Sequence, residues 1–171
     1  MKYQAFYNTN TQIFLTQFYI YLLDNKQATY SSFTELSDIK KSAFSKNIKL
    51  FKEMLLDLNM KVSLTKESIL DKTLDTNQLK TNIYYLTYID GDEYYFDYSN
   101  LSEEKLIRYS MFIVYLMLKN HQYVKPQILE KIFPNFRRST LITLLDKLQD
   151  IIADDITKNE LNSYVLLNED I

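Results

Sequence analysis

Apolar residues return every three or four positions along Thr11 to Asn25, at Phe14, Phe18 and Leu22 with Leu15 and Tyr21 beside them, and this spacing predicts a helix. Ser31 or Ser32 supplies a cap for a short helix through Ile39. The clearest period runs from Ser42 to Asn59, where Phe44, Ile48, Phe51, Leu55 and Leu58 fall on one face of a 3.6-residue repeat. Met60 to Leu64 reads as a strand. Thr65 to Lys80 carries Ile69, Leu70, Leu74 and Leu79, which suit a short helix or an ordered loop equally. Ile83 to Ile89 and Asp92 to Tyr98 are β-prone runs flanking Asp90-Gly91, a strong short-range signal for a hairpin. The only glycine of the chain sits in that turn, where a positive φ is required.

Beyond a polar junction at Ser99 to Ser102, Ser102 is placed to cap a helix over Glu103 to Lys119, apolar around most of its circumference from Met111 to Leu118 and so expected to be buried. Val124-Lys125-Pro126 opens a short helix with Pro126 in its first turn. Phe133-Pro134-Asn135 makes a turn, and Arg138 or Ser139 opens a helix carrying Leu141, Leu144, Leu145, Leu148 and Ile152. Ile156 to Leu167 reads as two short strands around Asn159 to Asn162.

The two halves repeat. Sliding Ile20–Leu58 by about 94 positions onto Val114–Ile152 places Leu22 on Leu116, Ile39 on Phe133, Ile48 on Ile142, Phe51 on Leu145, Met54 on Leu148 and Leu58 on Ile152. Helix, short helix, turn and longer helix followed by hairpin strands is the order of a winged helix-turn-helix unit. The expected fold is therefore α+β and predominantly helical: two tandem winged helix-turn-helix domains, 1–98 with a Tyr-rich β-hairpin and 99–171, fused through the helix Glu103–Lys119.

Composition narrows the function classes. The 171 residues are 46% hydrophobic, enough for a packed core. With one glycine and two prolines the chain has no glycine-cradled phosphate loop, and with no cysteine and one histidine it has no readable metal site. His121 near a helix end reads as a capping or surface residue, and Asp90-Gly91-Asp92-Glu93 as a turn lacking the ligand spacing of a calcium loop. No serine elbow or nucleophile–base set is present, which predicts a protein that is not an enzyme and carries no cofactor. Met1 to Asn10 shows no basic, apolar signal pattern, and Met111 to Leu118 is too short to span a bilayer. The expected location is cytoplasmic, with no membrane partner.

Net charge is −2, less basic than nucleic-acid-binding domains generally are, so the placement of charge matters more than its total. Lys40, Lys41, Lys46, Lys49 and Lys52 fall within thirteen positions that hold no acid. On a helical wheel Ser45, Lys46, Lys49 and Lys52 share an arc facing away from Phe44, Ile48 and Phe51, as on a recognition helix. The lysines would attract phosphates, and Ser45 and Asn47 would reach base edges. The competing reading is a solvated helix face. Arg137 and Arg138, two of only three arginines, open the second long helix and suit phosphate or guanine. Asp146 and Asp150 further along it favour a surface pair or an interdomain salt bridge instead. The aromatic run Tyr84, Tyr85, Tyr88, Tyr94, Tyr95, Phe96 and Tyr98 lies among Asp90, Asp92, Glu93 and Asp97. That acidity argues against stacked nucleic acid and for core plus a protein interface, with Tyr84, Tyr85, Tyr94 and Tyr95 as its residues.

The stretch Ser32 to Leu55, with Ser42, Phe44, Ile48 and Leu55 at the start and on the inner face of its long helix, resembles the helix-turn-helix of Mga-like and BglG-like bacterial regulators. Pro134 to Leu145 repeats the idea with Ser139. The resemblance implies tandem helix-turn-helix modules, and the leading expectation is a bacterial or mobile-element transcription regulator acting as a dimer on double-stranded DNA. The single histidine offers no counterpart to the paired phospho-histidines of those families, and the Tyr-rich hairpin lies outside their pattern. Tandem winged helices also occur in kleisin-associated subunits of chromosome-organising complexes and in plasmid replication initiators. A protein-binding adaptor and a plasmid or phage initiator are thus the alternatives.

Overall fold

Phe18 is the point from which one half of the molecule is built. It lies in α1 (Thr9–Asn25), is fully buried, and meets Phe33, Phe44, Phe51 and Tyr84 edge-on at centroid distances of 5.2, 5.9, 5.1 and 6.4 Å. Those partners come from α2 (Tyr30–Thr34), α3 (Lys41–Asp57) and β2 (Lys80–Tyr88), which pairs with β1 (Val62–Leu70) in a two-stranded antiparallel sheet. The computed structural model describes residues 9–70, 80–120, 124 and 126–161. Its elements continue with α4 (Glu103–Arg108), α5 (Ser110–Lys119), α6 (Pro126–Ile132), α7 (Arg138–Ile151) and a helical segment at 155–161. The protein is α+β and mostly helical. By contacts the described residues form two compact units: Phe18–Glu93, and the residues on either side of it in sequence.

In the unit Phe18–Glu93, α1 ends at a residue with positive φ, Lys26 (71°), and the chain then pairs Ala28 with Tyr84 through N–H···O bonds of 2.8 Å in both directions. Thr29 and Ser32 close a capping box at the start of α2. The Tyr30 hydroxyl donates to the Ile39 carbonyl at 2.9 Å and so spans the turn into α3. At the other end of α3, Met60 N–H bonds Leu55 O (3.1 Å), Asn59 N–H bonds Leu56 O (3.0 Å), and Asn59 has φ 49°. This Schellman arrangement uses an asparagine, tolerant of the left-handed region, to turn the chain into β1 with Met60 buried.

The strand register, Val62↔Tyr88 through Leu64↔Leu86 to Leu70↔Lys80, corrects the expected hairpin. Gly91 does take a positive φ of 64°, but 92–98 form no strand; the partner of β2 is Val62–Leu70. A two-residue turn at Asp90-Gly91 would have put Asp97 opposite Tyr84 on the core face, desolvating a carboxylate. Pairing with β1 sets Leu64 against Leu86 there instead. Thr65 to Leu70, expected as short helix or loop, is thus strand, and 71–79 lie outside the described residues. Val62, Leu64, Tyr84 and Leu86 are buried at the base of the ribbon, while Lys66–Leu70 and Lys80–Asn82 are exposed.

In the other unit, α5 is buried from Ser110 to Leu118, as its all-round apolar sequence predicts. The single expected helix over Glu103–Lys119 is instead two, separated at Tyr109. Gln12 explains the break. Its Oε1 accepts from Met111 N–H (2.7 Å) and Ser110 Oγ (2.8 Å), and its Nε2 donates to Ile107 O (3.3 Å). The bond that an unbroken helix would form from Met111 N–H to Ile107 O is replaced by a buried side-chain amide inserted between them. Gln12→Leu is expected to destabilise the protein by about 1–3 kcal/mol, the cost of buried backbone groups losing a partner. Reclosure of the helical bond limits the loss, so amide exchange at Met111, measured beside urea unfolding, reads which outcome occurs. An unchanged unfolding midpoint would contradict this role.

Ser102 caps α4 as expected, accepting from Lys105 N–H at 3.3 Å, and Pro126 is the first residue of α6. α6 and α7 join through a turn in which Phe133 and Phe136 stack at 5.6 Å. The second expected hairpin is also corrected. Residues 155–161 are helical, and 162–171 lie outside the described residues, as does His121. Asp154 decides this: its Oδ1 accepts from Ile156 N–H (3.0 Å) and its carbonyl from Lys158 N–H (3.0 Å), a helix start rather than a strand.

The Lys119 ammonium, which donates to Asp154 Oδ2, holds that carboxyl down to about 2 from the ordinary 3.8. The folded value is the lower one. The associated stability is therefore complete above about pH 4 and vanishes as pH falls from there through about 2. Asp154 keeps 37% of its side chain exposed, so screening holds the contribution to about 1 kcal/mol or less. Asp154→Asn should lower the urea midpoint slightly at pH 7, and the difference from wild type should close near pH 2. A gap that stays constant over this range would contradict the ion-pair origin of the effect.

Candidate nucleic-acid interface

α3 divides cleanly. Phe44, Ile48, Phe51, Met54 and Leu55 are buried, and Lys40, Lys41, Ser45, Lys46, Lys49 and Lys52 are exposed. Asn47 is half-buried, at the border between the two faces. The five lysines share one helix and the residue preceding it, and among the described residues none of them is in an ion pair. The inner face is held by the Phe18 cluster, with Phe44 further packed against Tyr30 (5.3 Å) and Tyr84 (5.9 Å). The outer face of α3 holds four of these lysines before its first acid, the exposed Glu53, which falls on the same arc as Lys46 and Lys49, so the lysines present side chains to phosphates from the first three turns of the helix.

Beside the start of α3 lies a cleft of about 150 Å³, lined by Thr29 to Ser31, Lys41, Phe44, Ser45, Lys80 to Asn82 and Tyr84. Lys80 enters from β2, so it escapes a reading confined to one helix. The signal available in sequence was a lysine immediately before a β-prone run, with nothing to say which helix that strand would face. No family model, curated protein or solved structure matches this chain.

Arg137 and Arg138 are both exposed at the start of α7. The Arg138 guanidinium lies 3.5 Å from Glu130 of α6, and Arg137 also has a partner. With Asp146 and Asp150 exposed further along, this helix has no uninterrupted cationic face.

Of the four tyrosines expected at a protein interface, two belong to each unit, and their surroundings differ. Tyr84 is buried in the aromatic core beside Phe18 and Phe44, and burial pushes its hydroxyl above the ordinary value. It is corrected from interface to core, because the Ala28 bridge and the β1 register turn its side of β2 inward. Tyr85, on the other face, donates to Glu67 Oε1 at 2.7 Å, and this bond to the carboxylate raises its pKa. Tyr94 belongs to the other unit, edge-on to Tyr115 at 6.5 Å, with the Lys119 ammonium 5.6 Å above its ring. Tyr95 is exposed.

No helix among the described residues is long and apolar enough to cross a membrane.

Proposed function

We propose that this is a DNA-binding protein, a transcription regulator acting as a dimer, in which the outer face of α3 lies against a duplex. The observation that carries the reading is the run of exposed lysines on α3 with no described ion-pair partner. The order of elements supports it. In the unit Phe18–Glu93 a helix, a bridging residue beside β2, a short helix, a long helix and two antiparallel strands follow one another, the grammar of a winged helix-turn-helix. α1 ends at Asn25 and α5 at Lys119, α3 ends at Asp57 and α7 at Ile151, each pair about 94 positions apart, which favours a tandem origin for the second unit. These features fit the resemblance to Mga-like and BglG-like regulators. A test is amide chemical-shift mapping with a random-sequence duplex. The expected result is shifts along Lys46, Lys49 and Lys52 with α7 little changed. Shifts confined to α7, or none, would contradict it.

A protein-binding adaptor is the second reading, supported by the net charge of −2 and by the exposed Asp146 and Asp150 of α7. It predicts no duplex binding at moderate salt.

A further inference from the structure

The cleft beside α3 differs from an ordinary lysine-rich surface in three respects. Its cations come from two separate elements, Lys41 at the start of α3 and Lys80 at the start of β2. Among the described residues lining it there is no acid, in a chain whose acids outnumber its bases 22 to 20. Hydroxyl donors at Ser31 and Ser45 and the amide of Asn82 surround a floor formed by the buried rings of Phe44 and Tyr84. Strand alternation places Lys80, Asn82 and Tyr84 on one side of β2, so the lysine and the amide face the cleft that Tyr84 floors. The volume, about 150 Å³, falls well below the 300–1,000 Å³ typical of pockets that enclose a whole small-molecule ligand. It suits one anionic group of a longer molecule.

We infer that this cleft receives a single backbone phosphate of a nucleic-acid strand, held between Lys41 and Lys80. The inference deepens the duplex reading and rests on it. The α3 lysines attract a strand over a broad face, whereas the cleft fixes one phosphate and with it the register of the helix on the duplex. A free phosphate or phosphomonoester has the same chemistry and is the other source of such a group.

The test compares the full chain with Lys80→Gln, an exposed residue outside the core, in titrations of a duplex and of duplexes carrying one neutral methylphosphonate at each position in turn. Thermal melts confirm equal folding. Lys80→Gln is expected to weaken binding at low salt and to make the slope of log K against log salt shallower by about 0.9, the loss of one phosphate contact. That changes the affinity ratio between about 50 and about 200 mM salt by roughly threefold. One methylphosphonate position should weaken wild type and leave Lys80→Gln unaffected. Equal slopes and the same response at every position in both proteins would overturn the inference while leaving the α3 reading standing. Inorganic phosphate that shifts the Lys80 and Ser45 amides while those slopes stay equal would assign the cleft to a free anion and overturn the backbone role. Absence of any salt-sensitive binding by wild type would defeat the duplex reading and this inference together.

Discussion

Phe18→Ala is expected to remove about 3–5 kcal/mol of stability, the range for truncating a large buried aromatic when the surroundings only partly collapse. The value should fall toward the upper end. Phe18 is fully buried and meets four aromatic rings edge-on, from α2, α3 and β2. Such pairs contribute about 0.5–1.5 kcal/mol each beyond area, though losses sharing one ring do not simply add. Against a domain stability of about 5–15 kcal/mol this leaves the unit Phe18–Glu93 close to its unfolding limit. Phe18→Leu keeps most of the apolar volume and should cost about 1.5 kcal/mol or less. Urea unfolding followed by tyrosine fluorescence reads both. A loss of under about 1 kcal/mol in the alanine variant would mean that the cluster is not organised around Phe18.

The second large effect is on binding. Lys46→Glu/Lys49→Glu reverses two charges on the exposed arc of α3 without touching Phe44, Ile48 or Phe51. Each reversal removes a cation that would neutralise a phosphate and adds a repelling carboxylate. Duplex affinity at about 50 mM salt is expected to fall by about a hundredfold or more. Both positions are solvent-exposed, so the unfolding midpoint should shift by no more than about 0.5 kcal/mol. Arg137→Glu is the contrasting variant. Its helix carries Asp146 and Asp150 and the Arg138–Glu130 pair, so it should change affinity by less than about threefold. Equal losses from the two helices would move the binding surface away from α3.

The parts of this structure that were legible in the sequence are those decided within a few turns of chain. The inner and outer faces of α3 follow from a period of 3.6 residues, and both appear where the period places them. The α5 burial follows from an unbroken apolar run. What escaped was decided by residues far apart. Asp90-Gly91 made its turn, yet the partner of β2 came from 62–70, because that pairing spares the core face a carboxylate. The break at Tyr109 depends on Gln12, roughly a hundred positions away, and no propensity at Ile107 to Met111 announces it. Tyr84 and Tyr85 are equally aromatic, and the Ala28 bridge and the β1 register decide which of them is core. The basic face was legible because five lysines are local to it; the cleft was not, since Lys80 arrives from a strand whose neighbour the sequence does not name.

The most direct test of the central claim is the salt dependence of duplex binding by the intact wild-type chain, followed by fluorescence anisotropy from about 50 to about 200 mM salt. Engagement of the α3 lysines predicts a straight line of log K against log salt with a slope of about −3 to −5, at about −0.9 per phosphate neutralised. A slope near zero, or no binding at the lowest salt, would contradict the assignment of α3 as a DNA-facing helix.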